Sequence, residues 1–235
     1  AMNVGDVVTV SITASEAGLT LTSGSINDVA VTGFTDNGAG SYSTTYTVLE
    51  GHTDRAAGDA IPVSFVLADA AGNSSDTFTT AISQASDAID ANSPAISSVS
   101  IADTAMNVGD VVTVSITASE AGLTLNAGTI NGVAVTGFTD NGAGSYSANY
   151  TILEGHTDRA AGDAIPVSFI LEDAAGNASD TFTTAISQSS DSIDANSPTI
   201  ISVSIADTAM NVGDVVTVSI IASEAGLTLT SGSIN

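Results

Sequence analysis

Histidine is the residue type most often used in acid–base catalysis, and the histidines of this sequence lie in one repeated segment. Both histidines and both arginines lie in "LEGHTDRAAGDAI", which occurs at 49–61 and at 153–165. Two His-x-Asp pairs have the residue types of a general acid and base: His52/Asp54 and His156/Asp158. No nucleophile is evidently paired with them and the segment is polar, so the sequence predicts no enzyme. An Arg–carboxylate bridge to Glu50, Asp54 or Asp59 is one alternative explanation of this segment.

The charge balance excludes some classes of partner. The chain has 26 acidic residues against two arginines, Arg55 and Arg159, and it has no lysine. Phosphate binding requires clustered Lys and Arg, so nucleic acid is a poor partner, and so is an anionic membrane surface. No apolar run approaches the ~18–20 residues that span a bilayer. Cations, water and salt are the partners that such a surface favours.

The composition still predicts a packed core. Hydrophobic residues make up 43% of the chain and charged residues 12%. The apolar residues fall into Val/Ile/Thr-rich runs that are typical of strands. The sequence contains no cysteine, so disulfides cannot stabilise the fold. Stability must come from the core or from a metal.

A tandem repeat dominates the sequence. "AMNVGDVVTVSI" begins at Ala1, Ala105 and Ala209, a period of 104 residues, and positions 1–104 differ from 105–208 at 14 places. Linkers collect small, polar and proline residues, as in "DAIDANSPAI" (87–96) and "DSIDANSPTI" (191–200). We therefore predict a repeat without its first strand at 1–89, a complete repeat at 90–193 and the start of a third at 194–235.

The spacing of turns predicts an all-β fold of tandem Ig-like β-sandwich domains with about seven strands each. Turn residues recur every ~8–12 residues between β-branched runs, and no helix is predicted. In the middle repeat we predict strands A to G near 95–102, 110–118, 122–130, 132–138, 145–153, 165–171 and 179–187. Alternating residues of strands E and F should face the core. "NGAG" (141–144) and "DAAGNAS" (173–179) should be hairpin turns.

This order of strands brings four segments to one end of the sandwich. Strand A leaves that end, and the BC, DE and FG turns return to it. The turns supply oxygen-bearing side chains, and so does the incoming linker: Glu120, Asp140, Asn141, Glu172, Asp173, Asn177, Asp90 and Asn92. An isolated acid in a turn is explained by conformational preference alone. Acids gathered from separate segments repel one another unless a cation neutralises them.

Calcium is the cation that these residue types favour. Ca²⁺ takes 6–8 oxygen ligands in flexible geometry, whereas Zn²⁺ prefers Cys and His, which are nearly absent here. Asp90, Glu120 and Asp173 are the central predicted ligands. Additional candidates of lower rank are Asp87, Asp191, Asp140 and Asn177, and a second site in the histidine-containing segment would use Asp54, Asp59, Asp158 and Asp163.

The motifs "DANSP", "VGDVVTVSITASEAG" and "DAAGN" resemble bacterial Ig-like repeats over the whole repeat length. The style is similar to the extender regions of giant calcium-dependent RTX adhesins, which Gram-negative bacteria export by type I secretion. The resemblance implies an extracellular spacer whose linkers bind calcium and whose partners are the neighbouring repeats. It assigns ligand roles to Asp90 and Asp194 of the linkers, to Glu16, Glu120 and Glu224 of the "SE" turns, and to Asp69 and Asp173. Asn92 departs from the related motif "DTTAP".

The rival prediction is a module that itself binds a target. Thr-rich runs such as "TFTT" (77–80) could form an ice-binding face, and an array of glycan-binding repeats would gain avidity. Strands are rich in threonine in any case. The spacer is therefore the main hypothesis and the binding module is the alternative.

Overall fold

The computed structural model describes residues 1–234, and in that range the chain is all-β. Within it, no helix is long and apolar enough to cross a membrane. The first repeat contains β1 (Met2–Asn3), β2 (Val7–Thr13), β3 (Thr20–Ile26), β4 (Val29–Ala30), β5 (Thr32–Gly38), β6 (Ser41–Thr47), β7 (Val63–Ala68) and β8 (Ile89–Asp90). The second contains β9 (Ile96–Ser100), β10 (Met106–Asn107), β11 (Val111–Ala118), β12 (Thr124–Ile130), β13 (Val133–Ala134), β14 (Thr136–Gly142), β15 (Ser145–Thr151), β16 (Val167–Glu172) and β17 (Ile193–Asp194). The third contains β18 (Ile200–Ser204) and β19 (Ser219–Ala222).

The second repeat is a two-sheet sandwich. One sheet has the order β14-β15-β11-β9 and the other β13-β12-β16. In the lettering of Ig domains these are the sheets that contain strands ABED and CF, which is the constant-type arrangement. The predicted fold class is therefore confirmed.

Alternating side chains build the core of this sandwich, as the sequence predicts. On β15 and just after it, Tyr146, Ala148, Tyr150 and Ile152 are all at most 1% exposed. From the opposite sheet, Ile165, Val167, Phe169 and Leu171 are at most 5% exposed. The two inner faces pack on each other at the period of two that a pleated strand imposes.

Two predicted strands differ from the structure. The predicted strand D at 132–138 is divided, because the chain passes from one sheet to the other at the buried residue Val135. The predicted strand G at 179–187 forms no continuous ladder. It meets β16 and the residues before it only through isolated bridges, Glu172 with Ala178, Phe169 with Phe182 and Ile165 with Ile186. Between the first two bridges, a step of three residues from Phe169 to Glu172 is opposite a step of four residues from Ala178 to Phe182. The register therefore shifts by one residue, and no regular strand forms.

Each linker is packed into the repeat that precedes it. Ile89–Asp90 pairs in parallel with Met2–Asn3, and Ile193–Asp194 pairs in parallel with Met106–Asn107. Ile89 and Ala91 belong to the core of the first repeat. The chain therefore leaves that core only after Ala91, two residues beyond the predicted boundary at 89/90.

The outer repeats are less complete than the middle one. The first has β2-β6-β5 and β4-β3-β7, with no strand equivalent to β9 among its described residues. The third forms a two-stranded ladder of β18 and β19, and most of its side chains are exposed.

Candidate functional site

Asn177 joins the first two repeats. Its Oδ1 accepts a hydrogen bond from Val4 N–H of the first repeat at 2.8 Å, and its Nδ2 donates to the carbonyl oxygen of Asp90 in the linker at 3.3 Å. The side chain is 3% exposed. A single amide from the FG turn of the second repeat thus holds both the body of the first repeat and its outgoing linker.

Asp173 fixes the FG turn that carries Asn177. Its Oδ1 accepts from the backbone N–H groups of Ala175, Gly176 and Asn177 at 2.7 to 2.9 Å, and its Oδ2 accepts from Asn177 Nδ2 at 2.9 Å. "DAAGN" is therefore a turn closed by its first and last side chains, which pre-orders Asn177 for the contact with the first repeat.

The same turn in the first repeat has no repeat packed against it in the described chain. Asp69 accepts from the N–H groups of Ala71 and Asn73, and from Asn73 Nδ2 at 2.8 Å. These hydrogen bonds, above all the one from the Asn73 side chain, lower the pKa of Asp69. The hydrogen bonds that close this turn therefore come from within one repeat.

Acidic residues of the linker, of the BC and FG turns and of the segment at 50–54 lie near one another at the joint, and the predicted Asp140 of the DE turn is not among them. Desolvation is the largest cause of a raised pKa at Asp90, and the hydrogen bond from Asn92 N–H opposes it. The negative charges of Asp173, Asp54 and Glu50 raise the pKa of Asp90 further. Like charges therefore lie within electrostatic range of one another at the joint.

Glu120 belongs to the same electrostatic cluster. Its side chain is largely exposed, yet partial desolvation is the first cause of its raised pKa, followed by the charges of Asp173 and Asp90. The hydroxyl of Tyr146 donates to the Glu120 carbonyl oxygen at 2.8 Å and accepts from Leu123 N–H at 3.0 Å, which fixes the BC turn. Asp140 accepts from Gly122 N–H at 2.8 Å and so ties the DE region to this turn.

The first repeat also binds the linker, through residues of the segment at 49–61. Asp54 accepts from Ala91 N–H at 2.8 Å and from Asn92 Nδ2 at 2.7 Å. Both carboxylate oxygens of Glu50 accept from Ser93 N–H, at 3.1 and 3.2 Å. Asn92, one of the predicted ligands, thus uses its amide nitrogen to bind the preceding repeat.

The second linker repeats this docking. Asp158 accepts from Ala195 N–H and from Asn196 Nδ2, at 2.8 and 2.7 Å. Glu154 accepts from Ser197 N–H at 2.9 Å, and the hydrogen bonding to Ser197 lowers the pKa of Glu154. The two carboxylates therefore have the same role in both repeats.

Asn3 contributes an acceptor that lacks a donor. Its Oδ1 is buried without a hydrogen-bond partner, although β1 places the residue directly beside Asp90. A Cβ added to Gly176 would lie 2.9 Å from Asn3 Nδ2, so the Asn3 side chain is packed against the FG turn of the second repeat. Buried polar atoms are nearly always hydrogen-bonded, and an unpaired oxygen next to an acidic cluster has the chemistry of a cation ligand.

The carboxylates alone do not form a metal site. Within residues 1–234, no three His, Cys, Asp or Glu side chains are close enough to hold a metal ion together. Both oxygens of Asp173 accept hydrogen bonds from within the FG turn. The oxygens at the joint also include Asn3 Oδ1, the Asn177 amide and the Asp90 carbonyl. Ca²⁺ accepts amide and carbonyl oxygens as well as carboxylates, so the donor set fits this ion in chemistry.

The remaining predicted ligands take different positions. Asp87 and Asp191 each accept from two backbone N–H groups within their own repeat, as at Gly58 and Gln84 for Asp87. Asp59 and Asp163 accept from the N–H groups of Ala56 and Ala160. Asp194 lies beside Asn107 at the second linker, and Glu16 and Glu224 are exposed in the BC turns of the outer repeats. The structure does not bring these residues to the joint between the first two repeats.

The histidines and arginines have structural contacts. His52 Nδ1 accepts from Leu49 N–H at 3.1 Å, and its ring stacks on Tyr46. Arg55 Nε donates to Asn27 Oδ1 at 2.9 Å, and Arg159 makes the same bond to Asn131. Among the described contacts, this amide takes the place of the predicted Arg–carboxylate bridge. The asparagine is buried within reach of the guanidinium, whereas Asp54 is turned to the linker.

Sequence reasoning missed Asn3 and Val4 and underestimated Asn177 and Glu50. The pair Asn3–Asp90 arises from a two-residue parallel bridge, for which the sequence has no signal. Asn177 was detectable, since "DAAGN" ends each FG turn, but its contact with the preceding repeat was not.

Comparisons with known proteins add a description of the fold. No family model matches the chain, and no curated protein is similar to it. Among solved structures it is similar to the fibronectin(III)-like modules of Clostridium thermocellum CbhA, at 15% identity and a TM-score of 0.33, over 81% of this chain and 88% of that one. It is also similar to SGBP-B of the Bacteroides ovatus mixed-linkage glucan utilization locus, solved with a mixed-linkage heptasaccharide, at 15% identity and a TM-score of 0.24, over 91% of this chain and 48% of that one. The strand order of the chain itself defines its class, a tandem array of Ig-like β-sandwich repeats.

Proposed function

We propose that this chain is part of the extender of a bacterial cell-surface adhesin of the RTX type. In this role the repeats are structural spacers that project a terminal ligand-binding domain away from the cell. Calcium at the linkers stiffens the array, and the neighbouring repeats are the main partners. The protein functions outside the cell and catalyses no reaction.

The observation that carries the proposal is the double attachment of the linker at the first joint. Asp54 and Glu50 hold residues 91–93 to the first repeat, while Asn177 of the second repeat holds Val4 and the Asp90 carbonyl. A flexible tether would need none of these bonds. A strut needs contacts on both sides of the linker, because bending must then break hydrogen bonds.

The acidic cluster supports calcium as the stiffening agent. Asp90 and Glu120 repel Asp173, and no lysine exists in the sequence to relieve that repulsion. Asn3 Oδ1 adds a neutral oxygen that lacks a donor. A divalent cation at this position would offset the repulsion and engage the unpaired oxygen. The chain's own contribution is to fix the turn that carries Asn177 and to hold the linker beside it.

The expected energy is large enough to matter. Extracellular calcium modules bind with dissociation constants of about 10⁻⁴–10⁻³ M. At ~100-fold excess of ligand over its dissociation constant, binding adds about 2.7 kcal/mol to stability. A typical domain has only about 5–15 kcal/mol in total. Calcium-dependent stability also permits export as an unfolded chain from a low-calcium cytosol, followed by folding outside.

Thermal unfolding tests the calcium claim. The melting temperature of the full chain, measured by calorimetry, should rise by several degrees between EDTA and excess calcium. Asp90→Asn combined with Glu120→Gln should remove most of that rise. Asp28→Gly is the control for loss of an acid outside the joint, and it copies Gly132, the residue at the equivalent position of the second repeat. Equal melting temperatures with and without calcium would refute calcium stiffening.

The alternative of a module that binds a glycan or an ice surface is separated by a different assay. A spacer should give no signal on a glycan array or in ice-affinity purification. Retention on either would favour the binding module.

A further inference from the structure

Asn-Gly is the dipeptide that loses ammonia most readily in proteins, and it occurs in this chain at 37–38, 131–132 and 141–142. In this reaction the backbone nitrogen of the glycine attacks the side-chain carbonyl carbon of the asparagine. Glycine has no side chain and so leaves that nitrogen accessible. The sites have the same two residue types, and their surroundings therefore decide which of them reacts while the chain is folded.

Asn37 and Asn141 are exposed in the hairpins β5–β6 and β14–β15. The register of each hairpin shifts by one residue at the asparagine. Such a shift is a β-bulge, whose extra residue has no cross-strand partner. The glycines that follow, Gly38 and Gly142, have φ angles of 86° and 87°, a conformation that other residues rarely adopt. The bulge therefore requires a glycine and places it directly after an exposed asparagine.

Asn131 has different surroundings, because its side chain is held inside its own repeat. It is 6% exposed, its Oδ1 accepts from Arg159 Nε at 2.9 Å, and its Nδ2 donates to the Thr157 carbonyl oxygen at 2.6 Å. Attack on its side-chain carbonyl carbon would break both hydrogen bonds and expel the amide nitrogen from a buried position. The Asn131 side chain should therefore stay intact while the repeat is folded.

A carboxylate binds the attacking nitrogen at both exposed sites. Gly142 N–H donates to Asp140 Oδ1 at 2.7 Å, and Gly38 N–H donates to Asp36 Oδ1 at 2.8 Å. The nitrogen must give up this proton in the reaction, so a charge-assisted hydrogen bond must be broken. The carboxylate also repels the negative charge that develops on the nitrogen as the proton leaves. Both effects slow the loss of ammonia.

Each of these carboxylates is fixed from a second side. The other oxygen of Asp140 accepts from Gly122 N–H at 2.8 Å, and that of Asp36 accepts from Gly18 N–H at 3.0 Å. Both donors belong to BC turns. The carboxylate is thus held between a BC turn and the bulge, and its position does not depend on the asparagine that it protects.

We infer that Asn37 and Asn141 are sites of covalent modification, at which Asp36 and Asp140 slow the loss of ammonia. The glycine nitrogen forms a bond to Cγ of the asparagine, the bond from Cγ to Nδ2 breaks, and the displaced proton leaves with Nδ2 as ammonia. Water then opens the cyclic imide at either carbonyl carbon and gives aspartate or isoaspartate. The net reaction consumes one water and releases one ammonia, with no oxidation or reduction.

The modification changes both the charge and the backbone of the hairpin. Either product places a second carboxylate directly after Asp36 or Asp140, where like charges repel. Isoaspartate also lengthens the main chain by one methylene group within the hairpin. The reaction consumes only water and involves no cation, so it is independent of the proposed calcium function.

Peptide mapping by mass spectrometry of the full chain tests this inference. Incubation at neutral pH in water enriched in heavy oxygen labels each carboxylate that forms during the incubation. In the native chain, Asn37 and Asn141 should convert slowly and Asn131 should not convert. In Asp140→Ala, conversion of Asn141 should be about tenfold faster, the factor expected from loss of a charge-assisted hydrogen bond. Asn37 should keep its native rate, because Asp36 is unchanged.

The chain offers its own controls for this experiment. Asp36→Ala is the matched variant and should accelerate Asn37 alone. Asp140→Asn keeps an acceptor for both N–H groups and removes only the charge, so it should accelerate Asn141 by a smaller factor. Asn131 lies in the same repeat as Asn141 and reports unfolding of that repeat. Conversion of Asn131 as fast as that of Asn141 in both variants at position 140 would overturn the inference, and so would a native rate at Asn141 in both.

Discussion

Asn177 is the residue on which the joint depends most directly. The turn hydrogen bonds to Asp173 form within the second repeat, and the bonds to Val4 and Asp90 cross to the first. Asn73 makes the same turn bonds to Asp69 in the first repeat. A comparison of variants at Asn177 and Asn73 therefore separates the contribution to the turn from the contribution to the joint.

We predict that Asn177→Ala and Asn73→Ala each destabilise their own repeat by about 1 kcal/mol, the usual value of a lost hydrogen bond. Only Asn177→Ala should also loosen the first joint, because only Asn177 contacts another repeat. Denaturant unfolding measures the first effect, and hydrogen exchange at the Val4 amide measures the second. Protection of Val4 that survives Asn177→Ala would contradict this assignment.

The raised pKa values of Asp90 and Glu120 predict a pH dependence in EDTA. The folded chain holds these protons more tightly than the unfolded chain, whose values are near the ordinary 3.8 and 4.5. The free energy of unfolding should therefore fall as pH rises through this window and above it, until both groups are ionised in the folded state. The lowered pKa values of Asp69 and Glu154 act in the opposite sense and lose their contribution as pH falls through the folded values.

A double variant isolates the joint from these opposing groups. In EDTA, the melting temperature of the double variant Asp90→Asn/Glu120→Gln should exceed that of the native chain by an increasing margin as pH is raised from about 4 to 7. Calcium should reverse the order, because the native chain alone retains both carboxylates. A difference in melting temperature between the two chains that does not change across this pH range would contradict a raised pKa of Asp90 and Glu120 in the folded state.

At the scale of elements, the linker is part of the preceding repeat. Ala91 is fully buried, and its N–H donates a hydrogen bond to Asp54 Oδ1. We predict that Asp54→Ala costs about 1–3 kcal/mol, the penalty of an unpaired buried donor. It should also broaden the distance distribution across the first joint.

Double electron–electron resonance measures that distribution between spin labels on two introduced cysteines. Suitable positions are Thr9 on β2 and Thr113 on β11, which are equivalent and exposed. Asp158→Ala is the matched control, since it releases Ala195 and Asn196 at the second linker and leaves the first joint intact. An unchanged distribution for Asp54→Ala would mean that Asp54 does not hold the linker.

The elements also show how far the sequence determines the fold. The alternation of apolar and polar residues predicted the inner faces of β15 and β16, because the side chains of a strand point to opposite faces in turn. The irregular strand G was not predictable, because its Phe182 and Ile186 have the spacing of a strand while their bridges to β16 and Ile165 do not form a ladder. The convergence of Glu120, Asp173 and Asp90 followed from strand order. The contacts of Asn3 and Val4 did not, because they depend on how two folded repeats meet.

At the scale of the whole molecule, the chain is a series of repeats, and its first linker is bound by the repeats on both sides. We predict that calcium restricts bending at the first joint beyond the restriction that its hydrogen bonds already impose. Asp90 lies at the centre of that difference, with its carbonyl held by Asn177 and its carboxylate facing the other acids. Stiffness in this account therefore comes from side chains and a cation, not from a continuous core.

Small-angle X-ray scattering of the full chain, in calcium and in EDTA, tests this claim most directly. Measurements extrapolated to low concentration exclude association between molecules. We predict a larger maximum dimension and a narrower cross-section with calcium. Asp90→Asn should keep the EDTA profile in both conditions, whereas Asp28→Gly should behave as the native chain does. Identical profiles of the native chain with and without calcium would contradict it.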